Sequence, residues 1–212
     1  MTVLQDVRLA LIRNSVWFSK AIGKVGNPFV NRWCGWADVA PCRSVIKPGM
    51  CLVSRKRMEA TNLFIPGRYT HACIVSADPT IVIEAIGVGV VRTTIEGFLL
   101  SHDEVVAFEP IFANDRLRSL AAIWAENQVG KQYDFLFNDD EGRTGDSAFF
   151  CSELVYKAYS ESEGDIVPTM KRYETLGVYT VTPDDFVQAR NKWRPLWASA
   201  RVPKVFLDEK YP

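Results

Sequence analysis

The sequence has no surplus of charge: 25 basic residues are balanced by 25 acidic ones. That argues against nucleic acid as a partner, because its binders concentrate basic charge. No apolar run approaches the roughly 20 residues of a membrane-spanning helix, and the N-terminus lacks the continuous apolar core of a secretory signal. A cytoplasmic location with reduced thiols is the expectation. The five cysteines are an odd number, so they cannot all pair within the chain. No C-x-x-C occurs, and Cys34, Cys42 and Cys51 lie about eight residues apart with no histidine nearby, which is not a zinc-ligand pattern. Histidine is scarce, with only His71 and His102 present. No internal repeat or low-complexity segment is visible.

The apolar content is high enough to fill the core of a single domain, and it is patterned. Residues 3 to 22 read as an amphipathic helix, with Val3, Leu4, Val7 and Leu11 on one side and Arg8, Arg13 and Lys20 among the others. This basic helix either packs on the body of the protein or lies on an anionic membrane surface, so residues 1 to 25 are a candidate peripheral membrane contact. Residues 29 to 48 show no clear period; Trp33 and Trp36 there are candidates for a core or for a substrate groove. A short strand is expected at Met50 to Ser54. His71 to Ala77 and Ile81 to Ile86 are β-branched runs separated by Asp-Pro, a hairpin signal. Further strands are expected at Val90 to Thr94 and Val105 to Phe108. A helix is expected over residues 115 to 128, stopped by Gly130. Residues 160 to 178 read as a loop. Thr182-Pro183-Asp184-Asp185 starts a short helix. The tail R-N-K-W-R-P-L-W is basic and aromatic; it either docks on the domain or meets phosphate head groups.

Two stretches carry chemistry. The first is Asp146 to Tyr159, D-S-A-F-F-C-S-E-L-V-Y-K-A-Y, which reads as a helix with Cys151 in its first turn. Cys151, Leu154, Val155 and Ala158 share one face. Asp146 and Ser147 are N-cap candidates, and Glu153 with Lys157 suits an exposed edge. A helix start surrounds a sulfur with N–H groups and positive dipole, which favours the thiolate. The second is the hairpin. A loop at residues 77 to 80 makes Val75 face Val82 and puts His71 and Glu84 on one face as diagonal neighbours. An odd loop or a bulge would send Glu84 to the other face. A carboxylate that fixes an imidazole's tautomer is what a general base requires. His102, in the polar run S-H-D-E, is expected at the surface. Cys151, His71 and Glu84 thus form a candidate Cys–His–Glu triad.

The segments T-H-A-C-I-V, I-V-I-E-A, G-K-Q-Y-D-F and F-F-C-S-E-L-V-Y-K-A-Y resemble the YiiX-like branch of the NlpC-type cysteine hydrolases, which are circularly permuted papain-like domains. The resemblance spans roughly residues 48 to 160 and the T-P-D-D-F segment. It implies an α+β fold in which an antiparallel sheet or half-barrel packs against helices that include the nucleophile helix. By this resemblance Cys151 is the nucleophile, His71 the base and Glu84 the residue that orients it, with Tyr133 and Tyr69 as substrate-binding candidates. The chain departs from the pattern in reading T-H-A-C-I for S-H-V-G-I, and Gly49-Met50 where Gly-Asp is usual. The expected division is an N-terminal helix and extension over 1–47, the catalytic domain over 48–190 and a docked tail over 191–212. The expected activity is hydrolysis of a peptide-like amide, such as one in a cell-wall peptide, through an acyl-enzyme and without a metal or organic cofactor. Lipid or thioester acyl transfer at a membrane surface, and a non-catalytic binding module with the same fold, are the alternatives.

Overall fold

The computed structural model describes residues 33–57, 65, 67–135, 147–163, 171–173 and 178–207. The amphipathic helix expected over 3–22, and with it the candidate membrane contact, lies outside the described residues. Helix α1 (Trp36–Val45) leads into strand β1 (Cys51–Arg55) and the hairpin β2 (His71–Val75) and β3 (Ile81–Ile86). Strand β4 (Gly89–Thr94) runs directly into helix α2 (Ile95–Leu100), followed by β5 (Glu104–Pro110) and helix α3 (Asp115–Glu126). Two short strands, β6 (Gln132–Tyr133) and β7 (Ala148–Phe149), precede helix α4 (Cys151–Glu163). The pair β8 (Lys171–Tyr173) and β9 (Val178–Thr180), helix α5 (Pro183–Gln188) and strand β10 (Trp193–Ala198) complete the order.

Six strands form one sheet in the order β10-β5-β1-β2-β3-β4, antiparallel at every junction. Side chains alternate across a strand, so this sheet has two apolar faces. Cys51, Val53, Ala72, Ile74, Ile83, Val106 and Phe108 point to the side covered by α3 and α4. Leu52, Cys73, Val75, Val82, Val105 and Ala107 point to the side covered by α1 and α2. The fold is α+β, with helices on both faces of an antiparallel sheet.

The β2–β3 hairpin has the expected register: Val75 pairs with Val82 and Ile74 with Ile83. The Ser76 amide donates to the Ile81 carbonyl at 3.0 Å, and Asp78 accepts from the Thr80 amide and hydroxyl to fold the turn. The T-P-D-D cap also forms, with the Asp185 carboxylate accepting from the Thr182 amide and hydroxyl.

Other readings are corrected. Residues 36–45 are helical despite Pro41, with Asp38 in the first turn accepting from the Gly35 amide at 2.9 Å. Trp36 is exposed on this helix, and the guanidiniums of Arg57 and Arg201 lie over the Trp33 ring, 3.9 Å and 5.2 Å from its centroid. The described parts of the 160–178 stretch are regular structure, because α4 continues to Glu163 and β8 pairs with β9. The tail segment 193–198 is an edge strand of the main sheet, with the Trp193 indole fully buried. Met50, where an aspartate is usual, is fully buried among the apolar residues under α1 and α2. The preceding Gly49 has φ +78°, and a β-carbon there would come within 2.5 Å of the Arg118 carbonyl oxygen, so only glycine fits this close approach.

Candidate active site

Helix α4 begins at Cys151 itself. Asp146 lies outside the described residues, and Ser147 precedes the helix by four residues rather than capping it. Instead Glu153, in the first turn, accepts from the Phe150 amide at 3.2 Å, and Ser152 Oγ donates to the Val181 carbonyl at 2.7 Å. Glu153 is buried, not exposed as its pairing with Lys157 suggested. The parallel pairing of β6 with β7 sets Tyr133 beside Phe149, two residues before the cysteine. Leu154, Val155 and Ala158 then bury the helix against the sheet.

The structure brings Cys151, His71 and Glu84 together. His71 Nε2 lies 2.7 Å from Glu84 Oε2, and the other carboxylate oxygen accepts from the Thr93 hydroxyl. With Nε2 engaged, Nδ1 is the ring nitrogen left for the Cys151 sulfur, to which the His71 side chain is hydrogen-bonded. Burial by itself pushes the Cys151 thiol up. The bond and charge of His71, with the amides of Ala72 and Ser152, outweigh burial and bring it below the ordinary thiol range. Burial likewise opposes the His71 imidazolium, but Cys151 and Glu84 raise it to about 10. Glu84 is held down at about 2 against its own burial, first by the His71 bond and charge and then by Thr93. Both shifts favour the thiolate–imidazolium form of the pair. The remaining cysteines behave in the opposite way. Burial raises the thiols of Cys34 and Cys42 to about 11 and about 12, and those of Cys51 and Cys73 well above normal. All five are free thiols.

Cys151 is only 3% exposed, but it lines a small cleft. Ile65, Phe150, Val181 and Pro183 make its walls apolar, and Ser152, Thr180 and Thr182 complete it. Tyr133 is half-buried against Phe135, with ring centroids 4.9 Å apart, and does not line this cleft. The Tyr69 ring is fully buried in the larger core, while its amide and that of Arg68 donate to the Asp184 carboxylate. Asp184 thereby ties α5 to the segment that delivers His71. Among the described residues, no group of three or more His, Cys, Asp or Glu side chains is arranged to hold a metal ion.

Two residues of this region escaped the sequence reading. Thr93 was detectable in principle, since it pairs with Val82 while Glu84 pairs with Val91, which places it on the face of Glu84. His102 is not at the surface: it is 2% exposed, and its ring lies parallel to that of His71. The acids beside it are buried because each has partners. Asp103 accepts from the amides of Trp33 and Arg57, and Glu104 pairs with Arg68 at 2.8 Å.

A cysteine on the first residue of a helix, set against an antiparallel sheet bearing a His–Glu pair, defines a papain-like cysteine hydrolase. Here the sheet precedes the helix in the chain, so the arrangement is permuted. The chain belongs to the Peptidase_C92 family, described as permuted papain-like amidase enzymes of the YaeF/YiiX type, whose family model matches residues 45–206. In fold it is similar to the crystal structure of the metalloprotein YiiX from Escherichia coli O157:H7. That structure is 19% identical, with a TM-score of 0.58, over 71% of this chain and 96% of the other. No curated protein matches the chain. The protein is a cysteine hydrolase of amidase type, and among the described residues no helix is long and apolar enough to cross a membrane.

Proposed function

We propose that the protein hydrolyses an amide in a peptide-like substrate through a thioester on Cys151, with His71 as base and acid and Glu84 as its orienting carboxylate. The observation that carries this reading is the run of partners from Thr93 through Glu84 to His71, whose side chain acts on Cys151, a residue that lines a small cleft. The thiolate attacks the substrate carbonyl carbon, and the negative charge moves to the carbonyl oxygen. First-turn amides of α4, which have no helical carbonyl to bond, stabilise that charge. Collapse breaks the C–N bond as His71 delivers its proton to the leaving nitrogen. Water, deprotonated by His71, then attacks the thioester carbon; the C–S bond breaks, the carboxylic acid product leaves, and the Cys151 thiolate is restored beside the His71 imidazolium.

The apolar cleft walls favour a substrate with an apolar group beside the scissile carbonyl. They also sustain a second reading, hydrolysis or transfer of an apolar acyl group from an ester or thioester. A panel of peptide amides, acyl esters and acyl thioesters, assayed with intact-mass detection, tests both. Amide turnover with an acyl adduct on Cys151 supports the first reading. Turnover of esters and thioesters alone supports the second. Turnover that survives Cys151→Ala contradicts both, since loss of the nucleophile should cost at least about 10³-fold.

A further inference from the structure

We propose that His102 is a positioning residue for the Cys151 site: its ring, tethered to the C-terminal end of α2, forms a parallel wall that holds the His71 imidazole in its bridging plane. This rests on the reading of Cys151 as nucleophile. The two imidazoles stack with centroids 5.7 Å apart and planes 6° from parallel. Phe98 closes the arrangement, 4.3 Å from the His102 ring and 6.1 Å from that of His71. The wall is itself fixed. His102 Nδ1 lies 2.7 Å from the Phe98 carbonyl oxygen, and the His102 amide donates to the Leu99 carbonyl at 3.0 Å. A carbonyl only accepts, so Nδ1 carries the proton.

The need for a wall follows from geometry. A hydrogen bond at Nε2 fixes one corner of the His71 ring but leaves the ring free to rock about the line from Cβ to Nε2. That motion swings Nδ1 past the sulfur. A second ring at stacking distance removes this freedom. The wall must also be uncharged, because an imidazolium against it would be repelled. Among the described residues, the charged groups acting on His102 are Lys56 after β1, His71 on β2 and Glu84 on β3. Burial first, then the charges of Lys56 and His71, keep His102 well below the ordinary histidine range and so neutral.

Three variants separate the wall from the tether: His102→Phe keeps a ring and loses the bond to Phe98; His102→Asn keeps a side-chain donor and loses the ring; His102→Ala loses both. The readout is the iodoacetamide rate at Cys151, mapped by peptide mass across pH 4 to 10, with thermal melting alongside. His102→Asn and His102→Ala should lower the plateau rate about tenfold and move the titration midpoint up by about one pH unit. His102→Phe should stay within about threefold of the wild type even if it melts earlier. Should the alanine variant fail to fold, the Phe and Asn variants decide. A Phe profile no better than Asn, or an Asn profile equal to the wild type, overturns the proposal while leaving the nucleophile in place. A wild-type Cys151 no faster than Cys34 overturns both.

Discussion

At the scale of single residues, the His71–Glu84 contact carries the electrostatics. A neutral amide in place of Glu84 can occupy the same space but cannot stabilise an imidazolium. Glu84→Gln should lower kcat/KM by about 10²–10⁴-fold with KM nearly unchanged, as expected for a group that orients a general base. Thr93→Val removes one hydrogen bond to that carboxylate, worth about 1 kcal/mol, and should cost five- to tenfold in kcat. Stability should follow pH in two windows. His71 is raised when folded, so its contribution is complete below about pH 6.5 and is lost as pH climbs through about 10. Glu84 is lowered, so its contribution is complete above about pH 4.5 and is lost as pH falls towards about 2. Melting curves of the wild type should therefore fall at both ends, and Cys151→Ala should weaken the alkaline loss because the thiolate no longer supports His71. Most of these residues were legible in the sequence, since alternation along two strands is enough to pair His71 with Glu84. His102 was not, because local polarity does not report burial. The S-H-D-E run is interior only because amides and a guanidinium from distant segments satisfy its acids.

At the scale of elements, the site depends on how α4 and β2 are delivered to each other. Gly49 opens β1 with its amide donating to the Val75 carbonyl at 2.9 Å, and its own carbonyl accepts from the Tyr159 hydroxyl of α4. A methyl group at Gly49 would meet the backbone of Arg118 and require a strained φ. Gly49→Ala should therefore destabilise the fold by about 2 kcal/mol or more, read as a lower midpoint in urea with an unchanged slope. Gly49 was visible as a turn residue, but the approach of α3 that makes glycine obligatory is a tertiary contact. Helices α1 and α2 were missed for different reasons. The first contains Pro41 and has scattered apolar positions; the second is six residues long and follows a strand without a break. Short elements of this kind are held by packing rather than by propensity.

At the scale of the whole molecule, chain ends and sheet edge are one question. Strand β10 covers the β5 edge, and Trp193 stands among the rings of Phe112, Tyr159 and Phe186 at 5.2 to 5.5 Å between centroids. That cluster joins β10, α4 and α5, so Trp193→Ala should cost about 3–5 kcal/mol and lower the melting temperature sharply. The aromatic tail reads in the sequence as a docked segment, with a head-group ligand as the alternative; its pairing with β5 joins positions more than 80 residues apart and leaves no local signature. The central claim is that one thiol of five is a resting thiolate, made so by His71. Iodoacetamide labelling at increasing pH, with each cysteine followed by peptide mass in the wild type and in His71→Ala, tests it directly. The account predicts a single equivalent at Cys151, reacting well below the ordinary thiol range of about pH 8.5 and slowed at least tenfold in the variant. Cys151 labelling no faster than Cys34 or Cys42 at neutral pH, or as fast without His71 as with it, would contradict the account.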